Sequence, residues 1–195
     1  MENISPRTRK IVITAALSAL ILVLSLTPLG YLQVTPAFAI TFLSIPVAIG
    51  AVMEGPMVGL ILGLVFGLSS YSQAFGKDLI GTTLNSIHPV YTFLMCVLPR
   101  VLEGLFTGLI FKGLDKLPIR NTVAGGISCF CCSALNTVLF LSAYALNCYL
   151  CNYETQNVMK ILFGILTLNS LVEAVVCTVI GTFCISILLR AYHRK

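Results

Sequence analysis

Long apolar runs divide the sequence, and this division constrains the fold more than any other feature. One run extends from Ile11 to Leu29, and a longer block extends from Ile40 to Ser70. Only 10% of the residues are charged, whereas a soluble domain of this length carries about 25% charged residues. A single soluble core cannot account for so apolar a chain, so lipid is the expected solvent. The sequence therefore predicts a polytopic integral membrane protein.

The apolar runs predict six transmembrane helices. A span needs about 20 apolar residues, and the block 40–70 is too long for one span and short for two. MEGPM at 53–57 divides it, because Pro56 disfavours helix at Gly55 and Glu54 prefers the interface. The predicted spans are about 11–29, 40–53, 57–70, 89–111, 123–147 and 158–189. We expect an all-α fold with one membrane domain over residues 1–195.

The basic residues predict the orientation of these spans. If both termini are inside, the outer side holds only Lys77 and Lys160, while Arg100 lies within a span. The inner side holds Arg7, Arg9, Lys10, Lys112, Lys116, Arg120, Arg190, Arg194 and Lys195. Lysine and arginine favour the cytoplasmic side of a membrane, so both termini are predicted to be cytoplasmic. The long polar loops 30–39, 71–88 and 148–157 then lie outside, which suits a protein that captures something from outside.

Several function classes lack support in the sequence. The two halves of the chain do not align, which argues against an inverted-repeat secondary transporter. No nucleotide-binding loop or metalloprotease helix occurs, so the chain has no visible energy source. The net charge of +5 is first a topology signal. No cofactor, metal or nucleic-acid partner is predicted.

Small residues recur every four positions on two of the predicted spans. Ala15 and Ala19 lie on the first span, where the spacing fits either a partner interface or ordinary membrane composition. The third span carries Gly55, Gly59, Gly63 and Gly67. These glycines line one helix face, and we expect them to pack within the chain, with a partner helix as the alternative.

Polar groups inside the spans form a candidate site. They are Arg100, Glu103, Asn136, Asn169 and Glu173. An isolated charge at the bilayer centre costs at least about 2.5–3.5 kcal/mol, so we expect one interior cluster joining the last three spans. Arg100 can bind a carboxylate bidentately. That carboxylate belongs either to Glu103 or Glu173, in a clamp between helices, or to a ligand. Pro99 would free a backbone carbonyl that could join the cluster.

Two alternatives come from other function classes. Cys148 and Cys151 form a CxxC pair in an outer loop, which permits a redox pair or half of a metal site. No second ligand pair with metal spacing follows, so the alternative is a membrane thiol oxidoreductase that uses these two cysteines. A helix bundle without a ligand is a third interpretation. The polar groups inside the spans argue against it, because a scaffold gains little from them.

Several stretches occur in an order that is typical of one family. A basic N terminus runs into ITAALSALILVLSLTPLG, and ITFLSIPVAIGAVMEGPMVGLILGLVFGLSS and LPRVLEGLFTGLIFKGL follow. The region of Asn136 and Thr137 and the stretch NSLVEAVV come last. With six spans in this order, the chain resembles the substrate-binding S components of energy-coupling factor (ECF) vitamin transporters. It looks most like the pantothenate-type branch.

The resemblance implies a function without catalysis. An S component is a multi-pass cell-membrane protein that binds a vitamin from outside with high affinity. It associates with a transmembrane coupling subunit and two cytoplasmic ATPases, so it needs no ATP motif of its own. Pantothenate is the first expected ligand, and folate, riboflavin or a B6-type vitamin are the alternatives.

The resemblance also implies where the ligand and partner bind. Small residues in an AxxxA pattern on the first helix contact the coupling subunit in this family, and Ala15 and Ala19 match that pattern. The family pocket lies among the outer loops and the outer parts of the last three spans, with the first and third loops as the lid. The expected substrate-binding residues are Tyr31, Gln33, Asn85, His88, Tyr91, Arg100, Asn136, Asn169 and Glu173.

Overall fold

The structure of the protein, a computed structural model, consists of helices and one short β hairpin. It describes residues 5–28, 30–35, 38–76, 79–150 and 156–193. The helices are α1 (Pro6–Leu26), α2 (Ser44–Glu54), α3 (Pro56–Gln73), α4 (Leu79–Ile87), α5 (Pro89–Leu114), α6 (Asn121–Leu150) and α7 (Gln156–His193). The strands are β1 (Tyr31–Thr35) and β2 (Phe38–Thr41).

Five helices of the described chain are long and apolar enough to cross a membrane. They are α1, α3, α5, residues 121–147 of α6 and residues 170–190 of α7. The prediction of a polytopic membrane protein is confirmed at this level. By contrast, α2 has 11 residues, and a helix of that length is about 16 Å long, roughly half the hydrocarbon thickness of a bilayer.

Two elements lie where the sequence predicts only loops or the start of a span. The strands β1 and β2 pair in antiparallel fashion, with Tyr31 opposite Thr41. The stretch is rich in Tyr, Val, Thr, Phe and Ile, which favour strands. The predicted span 40–53 therefore begins in a strand, and its helix starts at Ser44. The second element, α4, lies within the predicted polar loop 71–88.

The helices α3 and α5 pack with their backbones in contact. A Cβ atom added to Gly59 would overlap the carbonyl of Gly104, and one added to Gly63 would overlap the carbonyl of Arg100. The expectation that the glycine face packs within the chain is therefore confirmed. Gly55 has a different role, because its φ of 93° lets the chain turn tightly from α2 into α3.

An ion pair fastens α1 to the turn between α2 and α3. Arg9 Nη2 donates a hydrogen bond to Glu54 Oε1 at 3.2 Å. The Glu54 side chain is 6% exposed and that of Arg9 is 38% exposed. This pair therefore ties the beginning of α1 to the end of the bundle where α2 meets α3.

Candidate functional site

The most unusual side chain in the bundle is that of Arg100, a buried cation in the middle of α5. Pro99 precedes it and has no backbone N–H, so the carbonyl of Met95, four residues earlier, loses its helical partner. Arg100 Nη1 donates a hydrogen bond to that carbonyl at 3.2 Å. The expectation that Pro99 frees a carbonyl for the cluster is confirmed. Gly63 of α3 packs directly against the backbone carbonyl of Arg100.

Two aromatic rings flank the guanidinium of Arg100. Its Cζ atom lies 4.3 Å from the ring centroid of Phe140 on α6 and 5.5 Å from that of Phe66 on α3. Both distances fall within the range of a cation–π interaction. Arg100 is only 8% exposed, so the rings replace part of the water that the cation has lost.

Within the described part of the chain, the cation has no carboxylate partner. No oxygen of Glu103 or Glu173 lies within 4.0 Å of a guanidinium nitrogen of Arg100. The ion pair that the described residues do form joins Arg9 to Glu54. The Nε atom of Arg100 is buried and makes no hydrogen bond to any described residue. The sequence allows an ion pair between Arg100 and either Glu103 or Glu173 that would hold two helices together. The described residues of this structure do not form that ion pair.

Glu103 lies one turn further along α5 and is fully buried. Cys132 Sγ on α6 donates a hydrogen bond to Glu103 Oε1 at 3.2 Å. No described residue forms a hydrogen bond to Oε2. Because a buried cysteine commonly acts as a small hydrophobic residue, the residue type of Cys132 alone does not predict this contact. Its position four residues before Asn136 is the available signal, because residues spaced by four share a helix face.

Asn136 and Glu173 form a third polar contact, which joins α6 to α7. Asn136 Nδ2 donates to Glu173 Oε1 at 3.3 Å and to Ser44 Oγ at 3.4 Å. The backbone N–H of Thr41 donates to Glu173 Oε2 at 3.4 Å. Asn136 Oδ1 is buried and has no hydrogen-bond partner among the described residues. The hairpin and the start of α2 are therefore connected to the last two helices.

These contacts lie at successive levels along one face of α6. Cys132, Asn136 and Phe140 are four residues apart, so each is separated from the next by about 6 Å along the helix axis. Cys132 contacts Glu103 and Phe140 contacts Arg100. At the level of Phe140, Arg100 Nε is a hydrogen-bond donor. At the levels of Asn136 and Cys132, Asn136 Oδ1 and Glu103 Oε2 are acceptors. Such a series suits an elongated ligand with an anionic group at one end and hydroxyl or amide groups further along.

The hairpin contributes Tyr31 to the same neighbourhood. Its hydroxyl is buried, and no described residue forms a hydrogen bond to it. Burial raises the pKa of the Tyr31 phenol, while the nearby side chain of Ser69 and the charge of Arg100 act in the opposite direction. A tyrosine phenol is already neutral at physiological pH, so Tyr31 can donate a hydrogen bond.

Three predicted site residues take other partners. His88 and Tyr91 stack on each other with ring centroids 4.4 Å apart. Asn85 Oδ1 accepts a hydrogen bond from Tyr71 at 3.3 Å. No described hydrogen bond or ring contact joins these residues to the Arg100 site.

Some predicted residues fall outside the described side chains. These are Gln33, Asn169, Cys148 and Cys151. The backbones of Gln33 and Asn169 do belong to β1 and α7, respectively. Their proposed contacts, and the thiol chemistry of the CxxC pair, stay predictions.

The predicted partner residues lie on the open side of α1. Ala15 and Ala19 are both exposed in the isolated chain, next to other exposed apolar residues such as Ile11 and Leu22. The first helix thus presents a small-residue surface that no other described residue covers. Its use as a partner interface stays a prediction.

Comparison with known proteins identifies one family and one similar transporter. The family model described as the substrate-specific component of ECF transporters matches residues 9–184, which extend from α1 into α7. The chain is also similar to the pantothenic acid transporter PanT of Lactococcus lactis subsp. cremoris (strain MG1363). The two sequences are 28% identical over 167 residues, and the alignment covers 80% of each chain.

Proposed function

Because the chain belongs to the family of ECF transporter substrate-specific components, we propose that it captures pantothenate with high affinity for uptake. The protein is a multi-pass protein of the cell membrane. Its role is to bind the vitamin, and partner subunits hydrolyse ATP. The similarity to a relative named as a pantothenic acid transporter supports this vitamin ahead of folate, riboflavin and a B6-type vitamin.

The observation that carries this proposal is the buried, unpaired guanidinium of Arg100. A buried charge is costly unless it is paired and hydrogen-bonded. Arg100 has a carbonyl and two aromatic rings, yet its Nε lacks a hydrogen-bond partner in the described chain. The carboxylate of pantothenate completes this arrangement, because a guanidinium can hold a carboxylate by two parallel hydrogen bonds.

The rest of pantothenate fits the other polar levels of the face. The vitamin carries an amide and two hydroxyl groups beyond its carboxylate. Asn136 Oδ1 accepts a hydrogen bond from one of these groups, and the phenol of Tyr31 adds a donor near the carboxylate end. The ligand therefore satisfies buried polar atoms that the protein alone leaves without partners, which is a general source of ligand specificity.

In the membrane, we place both termini on the cytoplasmic side, with α2 as the short sixth segment. The distribution of lysine and arginine supports this orientation. The hairpin and α4 then face outward, where the vitamin arrives.

A binding measurement tests the proposal directly. Purified protein in detergent is expected to bind labelled pantothenate saturably, with a dissociation constant below 1 μM, on the order of −8 kcal/mol or better. Folate, riboflavin and pyridoxine serve as competitors and should displace the label at least tenfold more weakly. If one of them binds more tightly, the vitamin assignment is wrong while the role as a capture subunit stands. Without saturable binding of any of the four, the proposed role is wrong for these vitamins.

A second prediction concerns the transmembrane coupling subunit. Ala15→Trp or Ala19→Trp is expected to reduce co-purification with that subunit at least tenfold, because an indole on this surface prevents close approach of two helices. Pantothenate binding should stay unchanged. The matched control is Ala16→Trp, because Ala16 is also exposed on α1 and lies about 100° around the helix from Ala15. Normal co-purification of both variants would refute this interface.

A further inference from the structure

The side-chain amide of Asn136 can face a ligand in two ways, and its neighbours select one of them. An amide has an oxygen that accepts hydrogen bonds and a nitrogen that only donates them, and the two ends exchange when the group turns over. Asn136 Nδ2 donates to Glu173 Oε1 at 3.3 Å and to Ser44 Oγ at 3.4 Å. Oδ1 is the buried end to which no described residue forms a hydrogen bond. The amide therefore keeps an acceptor available for a ligand.

The carboxylate on α7 determines which end of this amide stays available. The second oxygen of Glu173, Oε2, accepts a hydrogen bond from the backbone N–H of Thr41 at 3.4 Å. A backbone N–H can only donate, and an ionised carboxylate can only accept, at both of its oxygens. Thr41 and Asn136 must therefore both present N–H groups to Glu173. Ser44 does not impose this choice, because a hydroxyl can either donate or accept.

We propose that Glu173 is a positioning residue that orients the amide of Asn136, so that the site selects a ligand with an N–H donor at this level. This inference rests on the proposed function, because it concerns how the same site distinguishes ligand groups. In pantothenate the amide follows the carboxylate, as Asn136 follows Phe140 along the face of α6. The amide N–H of the vitamin is therefore assigned to Asn136 Oδ1, and Glu173 acts through Asn136 without binding the vitamin itself.

The chemistry of residue 173 separates this role from a purely structural one. Glu173→Gln keeps the shape of the side chain, but only one end of the new amide can accept. Its oxygen must accept from Thr41, because the reverse arrangement would place two donors against each other. Its nitrogen then faces Asn136, whose amide turns over to accept the hydrogen bond. The pair stays hydrogen-bonded, while a donor now faces the N–H of the ligand.

Two ligands of the same shape test the orientation. Equilibrium binding to purified protein is measured for pantothenate and for its ester analogue, in which an oxygen replaces the amide N–H. Wild type is expected to bind pantothenate at least about tenfold more tightly, because the ester offers no donor to Asn136. In Glu173→Gln, the affinity for pantothenate should fall about 5- to 150-fold, and the ratio of the two affinities should lie within about threefold of one. A loss of packing alone would weaken both compounds equally.

Exchange of the two functional groups provides a rescue. In the double variant Asn136→Asp with Glu173→Gln, the new amide at position 173 donates to one oxygen of the new carboxylate at position 136. The net charge is unchanged, and the other carboxylate oxygen is again an acceptor for the ligand. The affinity for pantothenate and its ratio to that of the ester should both return to within about fivefold of wild type.

Thermal unfolding without ligand tests the pair independently of any vitamin. Asn136→Asp alone places two carboxylates against each other, so its unfolding temperature should be lower than that of wild type. The double variant should recover the wild-type unfolding temperature, because the hydrogen bond between the two side chains is restored with its direction reversed. Glu173→Gln alone should unfold near the wild-type temperature.

The matched control is Glu54→Gln, which changes another buried carboxylate, in the ion pair with Arg9. Its ratio of pantothenate to ester affinity should equal that of wild type. An unchanged ratio in Glu173→Gln overturns the proposal, and so does an equal change in Glu54→Gln. Equal affinities of wild type for the two compounds would overturn the assignment of the ligand amide to Asn136.

The remaining outcomes are also decisive. Loss of pantothenate affinity in Glu173→Gln without recovery in the double variant would make Glu173 a direct ligand contact. If wild-type protein binds neither compound, the proposed function fails for this vitamin. The unfolding temperatures of the single and double variants then still decide whether Glu173 orients Asn136, because recovery in the double variant requires their direct hydrogen bond.

Discussion

Replacing Arg100 with glutamine is expected to lower the affinity for pantothenate by about 10- to 150-fold. This range corresponds to about 1.5–3 kcal/mol for hydrogen bonds to a charged group. Glutamine keeps a donor that can approach the Met95 carbonyl, but it removes the positive charge that the ligand carboxylate requires. Equilibrium binding of labelled pantothenate to purified variant and wild type measures the effect.

The stability of the same variant separates two roles for Arg100. If the ligand carboxylate is the partner of Arg100, the substitution removes a buried charge that has no partner in the ligand-free protein. The free energy of unfolding without ligand should then rise, or fall by less than about 1 kcal/mol. If the cation clamps Glu103 or Glu173, removal leaves an uncompensated carboxylate and costs about 3–5 kcal/mol. Thermal unfolding in detergent, with and without vitamin, distinguishes these cases.

Two other arginine variants control this experiment. Arg9→Gln removes a cation from the ion pair with Glu54, so it should not alter vitamin affinity. Arg100→Lys keeps the charge but loses the two-pronged geometry of the guanidinium, and its affinity should lie between those of wild type and Arg100→Gln. Wild-type affinity in Arg100→Gln would exclude a direct contact with the carboxylate.

Replacing Gly63 with a larger residue is expected to destabilise the fold. Even the Cβ of alanine would overlap the carbonyl of Arg100, and relief requires α3 and α5 to separate. Overpacking of this kind typically costs about 1–3 kcal/mol, and Gly63→Leu should cost more and reduce the yield of folded protein. Thermal unfolding of detergent-solubilised protein measures the loss.

A glycine of α5 provides the matched control. A Cβ added to Gly113 meets no atom within 4 Å, so Gly113→Ala should leave stability unchanged or increase it by up to about 1 kcal/mol through helix propensity. Equal stability of Gly63→Ala and wild type would contradict the close backbone packing. Because Gly63 contacts the backbone of Arg100, Gly63→Ala should also weaken pantothenate binding.

The long helices were predictable because lipid requires long apolar runs with clear ends. The predicted spans 89–111 and 123–147 correspond to α5 and α6, and Pro89 begins α5 as expected of proline in the first turn. The hairpin and α4 were not predictable in this way. The hairpin overlaps the start of the predicted span 40–53, and α4 lies in a predicted loop. The structure of such short segments depends on neighbours that the local sequence does not reveal.

The site was predictable only in part, for a similar reason. The sequence singles out Arg100, Asn136 and Glu173 because polar groups inside a span are costly, and the structure joins Asn136 to Glu173; their role as binding residues stays a prediction. Phe66 and Phe140 were missed, because an apolar side chain within an apolar run carries no signal.

The backbone contact between α3 and α5 has a consequence for changing the specificity of this protein. Glycines that touch a neighbouring helix have no side chain that can adopt another rotamer, so this side of the site cannot yield to a bulkier vitamin. The opposite side consists of side chains from α6 and α7, which can be shortened or exchanged individually. Attempts to redirect the protein to a larger ligand should therefore begin at Phe140 and its neighbours on α6, with the glycine face left intact.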